Sequence, residues 1–336
     1  MGLMPVVECM STPAVVPRLE GVWVKGIACG GAFTSVLTIY GQLYVWGDLR
    51  SPIPHLFSDL RGKNIIKISS TSVLTFAITE EGQVYVWGEL PPKPGSLAKP
   101  SISSPYPLQG DITKKQITHI ACGSLHALLL DSEGKVYSYG QNCWGQLGLL
   151  KVSVKEEILH PQVVSLLEEH PISLIACGGN HSIALSKDGE IWVWGSNEYG
   201  QLGLEKRYHI VQFPININWH LDPPLYIACG ENHTLIATQS ELYSFGKGSS
   251  GQLGTGSLED AYVPTKVPKF SGKRLLLLRS GFGSSHNFAV TEKGVYGWGR
   301  ATRGQLGIAD LSGNCSKPRK IPDLTGQHIL DISCGW

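Results

Sequence analysis

The stretch Cys177–Gly203, CGGNHSIALSKDGEIWVWGSNEYGQLG, carries the organisation of the whole chain. A Cys-Gly closes a short apolar run, Ile172 to Ala176. A His opens a second run, Ser182 to Leu185, and a charged turn, Lys187-Asp188-Gly189, leads into a third, Ile191 to Trp194. Trp-Gly ends that run, and a Gly-Gln-Leu-Gly tetrad follows.

The same order is written along the chain. The aromatic-Gly pair recurs at Trp46, Trp87, Tyr139, Trp194, Phe245 and Trp298, at spacings of 41, 52, 55, 51 and 53 residues. Sixteen or 17 residues before each aromatic stand Cys29, Ser70, Cys122, Cys177, Cys229 and Phe282, and Cys334 repeats the position once more. The tetrad occurs at 145–148, 200–203, 251–254 and 304–307, and the first two repeats lack it. A period near 50 residues fixes the architecture before any other reading.

Each repeat reads as β-structure. Its runs are short, rich in Val, Ile, Tyr, Trp and Phe, and bounded by Gly, Asp, Ser and Asn. EIWVWG and KVYSYG alternate with period 2. EEGQ, SEGK, KDGE and EKGV are hairpin turns in which Gly supplies a positive φ. A convincing 3.6-residue period is confined to Val163–Glu169, so a short helical turn is expected there alone. Three or four short antiparallel strands cannot bury their own faces; stacked radially they can, which predicts an all-β propeller.

The pattern CGxxH, then a hairpin ending in Trp-Gly, then Gly-Gln-Leu-Gly, resembles the repeat of the regulator of chromosome condensation family. The resemblance covers residues 12 to 336 and implies a seven-bladed β-propeller. It implies the fold more directly than a function, because one fold hosts many activities.

Composition agrees with a single folded domain over 1–336. Forty Gly among 336 residues with 42% hydrophobic content suit a hairpin-dense β protein, not disorder. A net charge of +1 implies no bulk attraction to DNA or anionic membrane, so neither direct DNA binding nor membrane insertion is expected. Five of eight Cys (29, 122, 177, 229, 334) share one repeat position, a blade's width apart, which predicts small buried hydrophobes in a reducing compartment. With no Cys-x-x-Cys pair, no metal is expected, and no cofactor either. The N-terminus lacks a secretory pattern, so the expected location is cytoplasmic or also nuclear, which leaves the sequons at Asn180, Asn232 and Asn314 unused.

Taken in order, the repeats run approximately 21–64, 65–116, 117–171, 172–224, 225–274 and 275–328, with a partial seventh at 329–336. TPAVVPRLEG near the front matches the fourth segment of later repeats, as in HPQVVSLLEEHP, VPTKVPKFSGKR and KPRKIPDLTGQH. The chain therefore supplies one fourth strand, six sets of four, and one first strand, ILDISCGW. A seven-bladed ring closed by joining the two ends would need a further second and third strand. Either the chain is a shortened form of a longer one, or the ring closes with PVVECM near the front. The Pro/Ser-rich excursion after Trp87-Gly88 reads as an extended, exposed loop that varies or binds a partner.

Few residues suggest chemistry. The repeat His (126, 181, 233, 286) come one per blade, too far apart to share a metal unless at the axis. GKGSSG at 246–251 matches G-x-G-x-x-G, but no helix follows to hold a dinucleotide. No nucleophile–base pattern of a hydrolase is present. The residues before the tetrads, Asn142, Trp144, Asn197, Tyr199, Lys247, Arg300 and Arg303, fall at corresponding places in successive blades and should share one rim. Trp, Tyr and Arg in that setting resemble a protein-binding hot spot. The resemblance adds His126, whose surroundings SLHALLLDSEGKVYSYG are similar to the stretch of the family's exchange factor that contacts its GTPase.

The expected function is a non-catalytic interaction propeller, most concretely a regulator or guanine-nucleotide exchange factor of a small GTPase. Exchange works by gripping the nucleotide-free GTPase better than the loaded one and needs no catalytic group. The alternative is a scaffold or adaptor propeller. A photoreceptor-like reading is disfavoured: the place of that branch's Trp holds Gly31, Ser124, Gly179, Glu231 and Ser284, and Trp336 alone matches.

Overall fold

The computed structural model describes residues 10–47, 51–89, 101–153, 156–204, 208–219, 222–311 and 313–335. These form six four-stranded antiparallel sheets, each with its strands in sequence order. In the fourth blade the strands are Ile172–Cys177, His181–Ser186, Ile191–Ser196 and Ile210–Asn216. The first strands stand side by side around the axis in the order of the blades. Strand two is buried along its length in blades two, three and four, since it lies mid-sheet with a blade on either face.

The expectation of seven blades needs correcting. Six sheets are complete among the described residues, and the seventh position holds two separate extended segments. Residues 329–334 take the inner place. Asp331 accepts from Arg279 (3.0 Å) on one side and from the Ile27 N–H (3.4 Å) on the other, and the Ser333 hydroxyl accepts the Cys29 N–H at 3.1 Å. Residues 10–16 take the outer place. A Cβ on Gly304 would meet Met10 and Ser11, and one on Gly307 would meet Pro13. The same glycines of the third repeat, Gly145 and Gly148, meet Gln212 and Pro214 of blade four's outer strand. These two segments lack the second and third strands that would join them into a sheet. PVVECM at 5–10 lies, but for Met10, outside the described residues, as do Trp336 and residues 90–100 of the Pro/Ser-rich excursion.

Pro recurs in the outer strands as Pro54, Pro105, Pro161, Pro214, Pro264 and Pro318, each three residues after the partner of the third-strand Gly. Each ladder shifts register between those points, so the Pro sits where a ladder bond is already broken. Pro13 holds the same place in the front segment.

Two further expectations change. A short helical turn is not confined to 163–169: 3₁₀ turns stand at Ser58–Leu60, Ser165–Leu167, Pro268–Phe270 and Pro322–Leu324, each between a fourth strand and the next first strand. Each carries a residue that points inward or sits close to the blade, such as Leu60, Leu167 or Phe270. And Phe282 does not hold the Cys position of repeat six. Arg279 pairs Phe288 as Ala176 pairs Ile183, so the next residue, Ser280, aligns with Cys177. The following turn is two residues longer than in repeat four, and Phe282 is buried within it.

Candidate functional site

The tetrad loops are built as clasps between neighbouring blades. In Gly145-Gln146-Leu147-Gly148 both Gly have positive φ (74° and 68°), and a Cβ on Gly145 would lie 2.6 Å from the Gln212 Cα. Leu147 is buried in the core. The Gln146 side chain turns back and accepts the Trp144 N–H at 2.8 Å, and Gln201, Gln252 and Gln305 do the same for Tyr199, Ser250 and Arg303. The Gln backbone carbonyl is left to face the next blade.

That carbonyl is the focus of the clasp. Gln146 O accepts the Ser182 hydroxyl (2.8 Å) and the Trp194 ring N–H (2.8 Å), both from blade four. Since the Ser182 proton goes to Gln146, its oxygen accepts Nε2–H of His126 at 3.0 Å. His126 and Gln146 of blade three thus hold one hydroxyl of blade four from two sides. His181, Thr234 and Gln201 repeat the arrangement between blades four and five at 3.1 and 2.7 Å. Between blades five and six His233 donates to Asn287 Oδ1, and Gln252 O accepts Asn287 Nδ2 (2.8 Å) and the Trp298 ring N–H (3.0 Å). Where blade two has Leu74 for His, blade three has Ala127 for the hydroxyl, so no polar partner is stranded.

The four repeat His are neutral for a physical reason. Burial in the core holds His126 and His181 down to about 3, and His233 and His286 to about 4. Burial likewise pushes the Cys122 and Cys229 thiols up to about 12 and Cys334 higher still. The seven described cysteines are free.

Beside the clasps runs a girdle of main-chain bonds on the same face. Gly31 N–H donates to Ser72 O, Ser72 to Ser124, Ser124 to Gly179, Gly179 to Glu231 and Glu231 to Ser284, at 3.0–3.1 Å. The turn after each first strand is thereby tied to the next blade. Four of these residues and Gly31 are the ones that stand where a photoreceptor-like Trp would be.

The expected partner residues divide in two. His126, Asn142 and Asn197 are buried and serve the scaffold, which corrects their assignment to a contact surface. Asn142 Oδ1 accepts the Leu147 N–H at 3.0 Å and its amide donates to the 152–153 carbonyls; Asn197 does the same for Leu202 and Tyr208. Trp144, Tyr199 and Lys247 are half-buried, and Arg300 and Arg303 are exposed. Lys247 Nζ lies 4.7 Å from the Tyr199 ring centre, so these loops of blades four and five do touch. The sequence reading missed the central part of the tetrad Gln; its recurrence in four tetrads was the available signal. Among the described residues no three His, Cys, Asp or Glu side chains group as a metal site.

Radial four-stranded blades joined through Cys-Gly turns, repeat His and Gly-Gln-Leu-Gly loops define a propeller of the condensation-regulator type. The chain belongs to the RCC1-like domain family, whose model matches residues 1–336. It is 35% identical over 224 residues to the ultraviolet-B receptor UVR8 of Arabidopsis thaliana, covering 66% of this chain and 49% of the receptor. It is 28% identical over 346 residues to the E3 ubiquitin-protein ligase HERC2 of Homo sapiens, covering 98% of this chain and 6% of the ligase. The chain thus spans about half of UVR8 and a smaller share of the ligases. Among solved structures, Prp20p of Saccharomyces cerevisiae matches with a TM-score of 0.85 at 25% identity, over 97% of this chain and 84% of that one.

Proposed function

We propose that this propeller binds a protein partner through the face that carries Trp144, Tyr199, Lys247, Arg300 and Arg303, and that a small GTPase is the partner. The observation that carries the reading is the alignment of these side chains on the tetrad loops of consecutive blades, held by the clasps beneath them. A rigid platform with exposed Arg and half-buried aromatics has the composition of a binding hot spot. Prp20p, similar in fold, is described by its binding to Gsp1p and histones. Exchange by differential grip asks for such a platform and for no catalytic group. The free cysteines favour the cytoplasm or nucleus as its place of action.

The test is retention of small GTPases from cell extract with and without EDTA to strip nucleotide. Retention in the nucleotide-free state alone supports exchange, and Arg300→Ala with Arg303→Ala should weaken it at least tenfold. Retention that ignores nucleotide, or no GTPase at all, sinks the exchange reading. A scaffold role is the second reading. It is favoured by the match of nearly the whole chain to a small share of HERC2; a stable set of other retained proteins supports it.

A further inference from the structure

The net charge of +1 conceals two unlike parts. Residues 261–320 carry 11 Lys and Arg against 2 Asp and Glu, and the rest of the chain carries 17 against 25. Five of these cations gather where blades five and six adjoin: Lys269, Lys273, Arg274, Lys293 and Lys320. The first three stand on the connection between the blades, in and after the turn Pro268–Phe270. Lys293 stands in the hairpin turn before strand Gly294–Gly299, and Lys320 ends the outer strand Cys315–Lys320. Strand Gly294–Gly299 starts at this face and ends toward the tetrad loop, so the cations lie opposite the tetrads. Lys269 Nζ is 5.6 Å from the ring centre of Tyr296, which pairs with Lys320. A Cβ on Gly294 would lie 2.7 Å from the Lys320 Cε, which brings that side chain beside the turn of Lys293. Lys273 Nζ donates to the Lys269 carbonyl. Lys273 is half-buried and the other four are exposed. None of the five is ion-paired among the described residues. Glu241 nearby is taken by Lys266 and the Ser271 hydroxyl, and Glu292 offsets one charge in the turn of Lys293.

The repeat does not ask for these cations. Lys293 precedes the turn Gly, where blades two, three and four have Glu81, Glu133 and Asp188. Lys269 is the middle residue of its 3₁₀ turn, where the turns Ser58–Leu60 and Pro322–Leu324 have Asp59 and Asp323. Lys320 pairs with a third-strand aromatic, where Leu56, Pro107, Val163 and Asn216 do so in blades one to four. Charge is thus reversed at two places and introduced at a third on an unchanged backbone. We propose that this seam is a docking site for an acidic segment of a protein partner, an extended run of Asp and Glu. Clustered like charges repel and cost the fold stability until an anion covers them. An extended run of six residues spans about 20 Å and can stay on the seam. A duplex or a bilayer is broader and would lie against Glu81, Glu133 and Asp188, which stand on the same face of the disc. Four of the five cations are Lys, whereas recognition of phosphate favours the planar fork of Arg. Lying opposite the tetrads, the seam leaves the face that carries Arg300 and Arg303 free for another partner.

The test titrates the full chain into a synthetic peptide of about ten alternating Asp and Glu residues carrying a neutral dye, followed by anisotropy at about 50 and 150 mM NaCl. The expected result is saturable 1:1 binding that weakens as salt rises. Lys269→Glu, Lys293→Glu and Lys320→Glu together should weaken it about tenfold or more. The triple variant should melt no lower than the parent, because repulsion is relieved, which separates lost binding from lost folding. Lys293→Gln alone, in an exposed turn, should weaken binding about threefold. Lys25→Glu, Lys151→Glu and Lys187→Glu together remove the same charge from exposed sites elsewhere and should change affinity less than about threefold. Five results overturn the proposal: no saturable binding; equal loss in the two triple variants; a seam variant that melts lower than the parent; tighter binding to a duplex of about 20 base pairs or to phosphatidylserine vesicles than to the peptide; or a dimer of the chain in sedimentation that the seam variant dissolves, which would make a second copy the occupant.

Discussion

The residue with the sharpest consequence is the repeat His. Its folded pKa is depressed, so between about 4 and 6.5 the unfolded chain binds protons that the folded chain refuses. Stability is therefore full above pH 6.5 and falls as pH drops through that window. Each His contributes about 1.4 kcal/mol per pH unit of that loss. Thermal unfolding followed from pH 7.5 to 4.5 should show the fall, and His181→Gln should flatten it; an unchanged slope would contradict the buried neutral state. The indoles give a second contrast. Trp194→Phe removes a made bond and strands the clasp, for a loss of about 1–3 kcal/mol in urea unfolding. Trp46→Phe removes a donor without a partner and should cost less than half as much. Neither difference is legible in the sequence, where the two Trp-Gly pairs look alike. What separates them is whether the preceding repeat supplies a tetrad carbonyl, a relation that exists in the ring and not along the chain.

At the scale of the element, the tetrad loop is the part that the sequence pointed to and left unexplained. Its spacing showed that the loops recur, and the hairpins and turns were readable because Gly at positive φ and alternating apolar residues are local signals. The job of the Gln carbonyl is non-local, since donor and acceptor are about 36 to 48 residues apart. The same limit explains Phe282: counting from the aromatic cannot see a turn lengthened by two residues, while strand pairing can. Because Gly200 has a φ of 84° and its Cβ would lie 2.6 Å from the Tyr262 Cα, Gly200→Ala should destabilise by several kcal/mol. Leu202→Ala should cost about 2–5 kcal/mol by leaving a core cavity. Chemical denaturation of both variants checks the claim that the loop is core structure; losses under 0.5 kcal/mol would refute it.

Across the whole molecule the clasps are uneven. They are complete from blade three to blade six, and replaced by apolar contacts between blades two and three. Blades one and six flank the seventh position. Neighbour-coupled repeats open first where an interface is weakest. Amide exchange should therefore be slowest in the second strands of blades four and five, His181–Ser186 and His233–Ala237, and faster by at least tenfold in Phe33–Thr38. Equal protection throughout would show that the clasps do not set local stability. Net charge is a whole-molecule property too: at +1, residual affinity for DNA should be weak and change little with salt, and a steep salt slope would contradict that.

The outer prolines bear on how the disc can be approached. Edge strands normally invite another strand to add alongside, and an imino acid in a register shift spoils that template in every blade. The circumference is thereby made a poor surface for β-addition, all the way round. Neighbours in an assembly would be directed to the two flat sides, so crowding around this protein has preferred directions of contact.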